Sequence, residues 1–149
     1  MRIFAVFLFA AIGTFIVDQG IKTLFLGGYY RPGSCIDLSL HFNKGVAFSL
    51  FAFLGPYLKW IQLLLVAAIL YFVLREGYLK RYAFPTGLLM GGALGNLYDR
   101  FVHGGVVDYV AWHCGFDFAV FNFADVAIDL AVVWIIVVAY FFPQKSSRT

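Results

Sequence analysis

A chain of 149 residues that is 62% hydrophobic, 20% aromatic and only 13% charged has too little polar surface to cover a soluble globule of its size. With a mean hydropathy of +0.86, it reads as an integral membrane protein of one domain, 1–149, without linker, repeat or low-complexity segment. The 11 basic and 8 acidic residues therefore matter individually.

Met1-Arg2 opens the first apolar run, from Ile3 to Val17. Asp18-Gln19-Gly20-Ile21-Lys22 follows it, with no small-x-small cleavage site, so a retained helix is expected rather than a removed signal peptide. Gly27, Gly28, Pro32 and Gly33 are turn material. After them Ile36 to Asn43 alternates apolar and polar residues, the period of a half-buried strand. A spanning helix needs about 20 mostly apolar residues, which places spans near 3–25, 57–75, 82–101 and 123–142. Between the last two, the aromatic stretch His103 to Phe121 can pair with the strand or lie on the membrane surface as a lid-like segment. The expected class is thus an all-α membrane protein of four transmembrane helices with a small extracytoplasmic β element.

If four helices alternate, Arg2, Arg75, Lys80, Arg81, Lys145 and Arg148 share one side, which the excess of basic residues makes cytoplasmic, with both termini. Lys22, Arg31, Lys44, Lys59 and Arg100 fall toward the other side, so the vote is narrow. It strengthens if Lys22 and Arg100 belong to a site.

Carboxylates in an apolar chain persist mainly where they line a polar cavity and perform chemistry or transport. At 1.5 Å per residue, Asp18 lies about 22 Å along the first helix from Ile3. Asp99 lies about 25 Å from Tyr82, and Asp125 about 25 Å from Phe142. Three acids therefore meet at one level near the outer edge of a hydrocarbon core about 30 Å thick, and Asp108 can fold back onto it. Asp18 and Lys22 are four apart on one helical face, and Asp99 adjoins Arg100, so Asp18 and Asp99 read as ionised scaffold groups. Asp108 and Asp125 have no basic residue within four positions. Two such carboxylates in an apolar site tend to share one proton, one acting as base toward water while the other donates to the attacked carbonyl. That is the apparatus of an aspartic peptidase.

Other readings attach to the same residues. Asp125 can serve simply to start a helix, and Asp129, one turn deeper, carries no assigned role. Gly87, Gly91 and Gly95 form a stripe that lets the third helix pack closely on a neighbour, and Pro85 suits that helix's first turn. Cys35 and Cys114 lie in outer segments, so they are either disulfide-bonded or free. Cys114 beside His113 invites a thiol-protease reading, and His41, His103 and His113 a zinc site, but neither shows triad or ligand spacing. Two rivals remain. A small proton- or ion-coupled transporter would also place acids in four helices, although such sites favour the midplane and internal repeats. A subunit without chemistry would have to tolerate Asn43, Asn96, Asp108, Asn122 and Asp125 at a polar cost.

Five motifs resemble those of signal peptidase II, the prolipoprotein signal peptidases of bacteria. They are Asp18-Gln19 with Lys22; Asn43 to Phe48; Gly91-Gly92-Ala93 with Asn96 and Asp99-Arg100; Val106 to Tyr109; and Phe121-Asn122 with Ala124-Asp125. The resemblance implies an aspartic endopeptidase of the bacterial cytoplasmic (inner) membrane, multi-pass, with its site toward the outer, periplasmic face. Its substrate would be a diacylglyceryl-modified prolipoprotein, cut on the N-terminal side of the lipidated cysteine. Asp108 and Asp125 match the catalytic pair, Asn43, Asn96, Arg100 and Asn122 match polar residues lining the site, and Asp18 with Lys22 matches a supporting pair. Membrane lipids are the surroundings, and no metal, organic cofactor, nucleic acid or obligate protein partner is implied. Val126 stands where the family often has Ser, and Ala119-Val120 where Pro is common.

Overall fold

A computed structural model describes residues 1–45 and 52–142. Val46, Ala47 and Phe48 of the second motif, and the basic residues Lys145 and Arg148, lie outside the described residues. Helix α1 runs Arg2–Leu26, strand β1 Ile36–Asn43, a short 3-10 segment Ala52–Tyr57, α2 Leu58–Arg75, α3 Leu79–Val102, β2 Val106–Trp112 and α4 Phe123–Phe141.

Three stretches, Arg2–Leu26, Phe53–Arg75 and Phe123–Phe141, are long and apolar enough to cross a membrane. Helix α3 is equally long but carries Lys80 and Arg81 at one end and Asp99 and Arg100 at the other. It is the centre of the molecule, packed on α1 and α4 and more lightly on α2. It begins at Leu79, three residues before the expected start, and kinks at Tyr82 (φ −119°, ψ 23°). Pro85 explains the kink, since its missing N–H leaves the carbonyl of Arg81 without an i+4 partner.

The glycine stripe sets how close the helices come. A Cβ on Gly87 would fall 2.6 Å from Ala10 Cβ, one on Gly91 would fall 2.7 Å from Thr14 Cβ, and one on Gly95 would strike the Asp18 carboxylate. The neighbour of the stripe is therefore α1, while Gly92 admits α4 at Ala124. The helical surfaces invert a soluble protein's pattern: Phe9, Ile16, Leu64 and Ile136 point outward, while Asp18, Lys22, Asn96, Asp99, Asp108 and Asn122 are buried.

Strands β1 and β2 pair antiparallel, from Ile36 opposite Trp112 to Asn43 opposite Val106, with an irregularity between Leu38 and His41. The aromatic stretch thus contributes a strand rather than lying flat. Gly104, at φ 73°, provides the left-handed residue that turns α3 into β2. Cys35 and Cys114 are joined in a disulfide at the open end of the hairpin-like pair, beside a bond from His113 N–H to Cys35 O at 2.9 Å. Past it, the chain folds back so that Phe121 bridges Val110, which delivers Asn122 and the start of α4 next to Asp108.

Candidate active site

Asp108 is on β2 and 2% exposed. Its Oδ1 accepts from Asn122 Nδ2 at 2.7 Å, and its Oδ2 accepts from Asn43 Nδ2 at 3.1 Å. Asp125 is the third residue of α4, whose cap is Asn122. Asn122 Oδ1 accepts from Asp125 N–H at 2.9 Å, and Asp125 Oδ2 accepts from Asn122 N–H at 3.1 Å. That reciprocal pair is a capping box. Asp125 therefore does help start the helix, as partner rather than as cap, and this leaves Oδ1 to accept from Asn96 Nδ2 at 2.8 Å. Asn122 Nδ2 also reaches Asn96 Oδ1 at 3.0 Å. One asparagine thereby contacts both carboxyl groups, and α3, β1, β2 and α4 each contribute a member.

Burial, reinforced by the nearby Asp125 charge, pushes the Asp108 carboxyl up to about 7 against the pull of the Asn43 and Asn122 amides. Burial likewise raises Tyr109 to about 12. This keeps a neutral hydroxyl that accepts from Phe123 N–H at 2.9 Å, on a ring stacked 4.2 Å from Phe25. Tyr109 thus braces the first turn of α4 against α1.

Beneath the pair lies a second cluster. Lys22 Nζ sits 2.7 Å from Asp18 Oδ2, 2.6 Å from Asp99 Oδ2 and 3.0 Å from Asn96 Oδ1. Asp18 Oδ1 accepts from Ala124 N–H at 3.1 Å, and Asp99 Oδ2 accepts from Val107 N–H at 3.1 Å. The supporting group is therefore a triad, and the expected Asp99 and Arg100 pairing is corrected. Successive helical residues point about 100° apart, so Asp99 faces α1 while Arg100 faces α2. There Arg100 Nη1 donates to Gln62 Oε1 at 2.8 Å and Nη2 to Gly45 O at 2.6 Å.

A cavity of about 460 Å³ opens beside Asp108 and Asp125, walled by Leu58, Ile61 and Leu65 of α2, by Arg100, and by residues 118–121. Asp129 lines it too. Gln62, which holds Arg100, had no role in the sequence reading. Its signal was an amide within the apolar run of α2, the same sign that marked the acids. The remaining polar candidates lie apart: His41 bonds Ser39 at 2.9 Å, His113 faces Asp37 at 3.5 Å, and Cys114 is bonded to Cys35, which removes the thiol nucleophile.

Fold and site define a class, a helical membrane protein with two amide-held carboxyl groups on the wall of a cavity. The family model for signal peptidase (SPase) II matches residues 10–142, a span that holds all five motifs. The lipoprotein signal peptidase of Sulfurovum sp. (strain NBC37-1) is 80% identical over 146 residues, covering 98% of this chain and all of that one. That of Sulfurimonas denitrificans is 56% identical, covering 94% and 91%. A bacterial membrane enzyme solved by the in meso method superposes with a TM-score of 0.79 at 24% identity, over 97% of this chain and 94% of that one. A second such structure gives 0.77 at 25% identity, over 95% of each. The chain belongs to the signal peptidase II family, and it is a membrane peptidase. The transporter and the subunit without chemistry are set aside by that membership.

Proposed function

We propose that Asp108 and Asp125 are the catalytic pair with which this signal peptidase removes the signal peptide from prolipoproteins. The observation that carries the proposal is Asn122, which donates to Asp108 at 2.7 Å through its amide and to Asp125 at 3.1 Å through its backbone. Two carboxyl groups on one residue, in a buried site, favour a shared proton. The ionised member takes a proton from water as the water oxygen attacks the scissile carbonyl. The protonated member hydrogen-bonds the carbonyl oxygen. As the tetrahedral intermediate collapses, the carbon–nitrogen bond breaks and the amine leaves with a proton from the dyad, which returns to one shared proton. Asn43, Asn96, Arg100 and Asn122 hold the carboxyl groups and the substrate backbone, a positioning effect worth several kcal/mol of barrier. Asp18, Lys22 and Asp99 support them from below. Separate Asp108→Asn and Asp125→Asn variants, assayed in membranes on a diacylglyceryl prolipoprotein, should each lose cleavage; near-normal turnover by both would reject the pair.

We further infer that the substrate's diacylglyceryl group stays in the bilayer while the peptide enters the cavity beside α2, whose wall is apolar. On this reading the chain is one domain. Asp18 of α1 holds Ala124 of α4 across the molecule, which supports it. All four helices cross the membrane, with termini cytoplasmic and the dyad toward the periplasmic face. Helix α3 joins them because its charges sit at its ends, leaving 82–98 uncharged, about 25 Å of helix. The disulfide at the end of the strand pair that carries Asn43 and Asp108 favours an oxidising compartment on that side. A Tyr78→Cys variant should resist a membrane-impermeant maleimide on spheroplasts, and Phe116→Cys should react. The opposite labelling would invert the orientation.

A further inference from the structure

We propose that the end of the bundle opposite the carboxyl pair is a binding site for an anionic phospholipid, whose phosphodiester headgroup sits among Arg2, Lys80 and Arg81. There a cavity of about 320 Å³ opens between α1, α3 and α4, lined by those three cations, by Val6, Phe84 and Trp134 among others, and, among the described residues, by no acid. Arg2 is 16 residues before Asp18, about 24 Å along α1, so this site is separate from the peptidase cluster and does not rest on the catalytic assignment.

The three cations are not equivalent. Arg81 is fixed: its Nη2 donates to Val138 O at 2.7 Å and to Phe142 O, and its guanidinium lies 5.2 Å from the Tyr82 ring centroid. It therefore holds one edge of the cavity in place. The side chains of Arg2 and Lys80 make no hydrogen bond or ion pair among the described residues. Glu76, the acid closest to them in sequence among the described residues, lies 3.9 Å from Arg75. A fixed guanidinium beside two uncompensated cations favours an anion, and a basic pocket between transmembrane helices suits a lipid headgroup.

The rest of the wall points to a lipid in particular. Phe84 and Trp134 pack with ring centroids 5.5 Å apart and remain 40% and 49% exposed. They extend the basic rim onto the apolar flank of α3 and α4, where an acyl chain would lie. Free phosphate could use the cations alone; only a lipid uses both surfaces. Such a ligand would tie the ends of α1, α3 and α4 together.

Phosphatidylglycerol added to the purified full-length chain in neutral detergent should stay bound in native mass spectrometry. It should also raise the unfolding midpoint by about 4 °C at tenfold excess over Kd. Phosphatidylcholine and inorganic phosphate should do neither. Arg2→Gln with Lys80→Gln should abolish both effects, whereas Lys59→Gln, on α2, should leave them. An equal shift from phosphatidylcholine would show apolar binding only and overturn the proposal, as would reproduction of the shift by phosphate or its survival in the double variant. If the double variant does not fold, the single Lys80→Gln chain decides by the same measurements: weakened retention of phosphatidylglycerol supports the site, and undiminished retention refutes it.

Discussion

Lys22 and Asp99 meet at 2.6 Å across the seam between α1 and α3, with Asp18 completing the group at 2.7 Å. All three side chains are at most 1% exposed. Removing the cation would leave two carboxylates buried together. Lys22→Met should therefore destabilise by about 3–5 kcal/mol, read as lost membrane accumulation and a lower unfolding midpoint. Replacing the group at once with Asp18→Asn, Lys22→Met and Asp99→Asn should recover much of that loss.

Asn122 joins the start of α4 to the carboxyl groups of Asp108 and Asp125. Asn122→Ala should cost about 1 kcal/mol through the lost cap. It should also lower cleavage far more than that stability change explains, by about 100-fold on the scale of a lost preorganised donor. Parallel unfolding and turnover measurements separate the two effects. Asn122→Ser would restore capping but not the reach to Asp108, so it should rescue stability alone.

The raised carboxyl of Asp108 makes two statements about pH. A pair needing one proton should lose activity as the second carboxyl ionises, giving an alkaline limb near the value of about 7. The folded chain keeps this proton to higher pH than the unfolded chain does, so the contribution of Asp108 to stability declines between its ordinary value of 3.8 and about 7 and is level above. In Asp108→Asn that slope should disappear from a plot of unfolding free energy against pH, whatever happens to activity.

Gly95 faces the Asp18 carboxylate so closely that any side chain must displace it. Gly95→Ala should loosen the α1 and α3 seam and lower the unfolding midpoint, at a cost of about 1–3 kcal/mol for overpacking. Gly13, with nothing within 4 Å of an added Cβ, should accept Ala without loss.

The disulfide closes a loop of 79 residues and clamps the strand pair that carries Asn43 and Asp108. Cys35→Ser with Cys114→Ser should cost about 2–4 kcal/mol and reduce cleavage through loss of the Asn43 contact. Reductant should reproduce the effect on the native chain, measured as unfolding midpoint and turnover.

Much of this was legible along the chain because hydrocarbon imposes simple rules. A charge or amide in an apolar run needs a reason, which singled out Asp18, Asp99, Asp108 and Asp125. Three-residue gaps between glycines are enough to announce a close helix contact at Gly87, Gly91 and Gly95. The alternation from Ile36 to Asn43 marked a strand but left its pairing with the aromatic stretch open, because pairing with Val106–Trp112 depends on a return of the chain some 65 residues later. Arg100 was misplaced beside Asp99 for a related reason: adjacency in sequence is divergence on a helix.

Composition and periodicity alone pointed to a membrane protein with helical runs and a strand, and to Asp18, Asp99 and Asp125 at similar distances along their helices, since these follow from the cost of polar groups in lipid and the rise of a helix. Tertiary structure alone decided which side chains meet. It put Asp99 on Lys22, Arg100 on Gln62, and Asp108 and Asp125 on the single residue Asn122. Those contacts depend on which face each helix turns to its neighbour and on how closely small residues let the backbones approach, quantities set by packing among segments far apart in the chain.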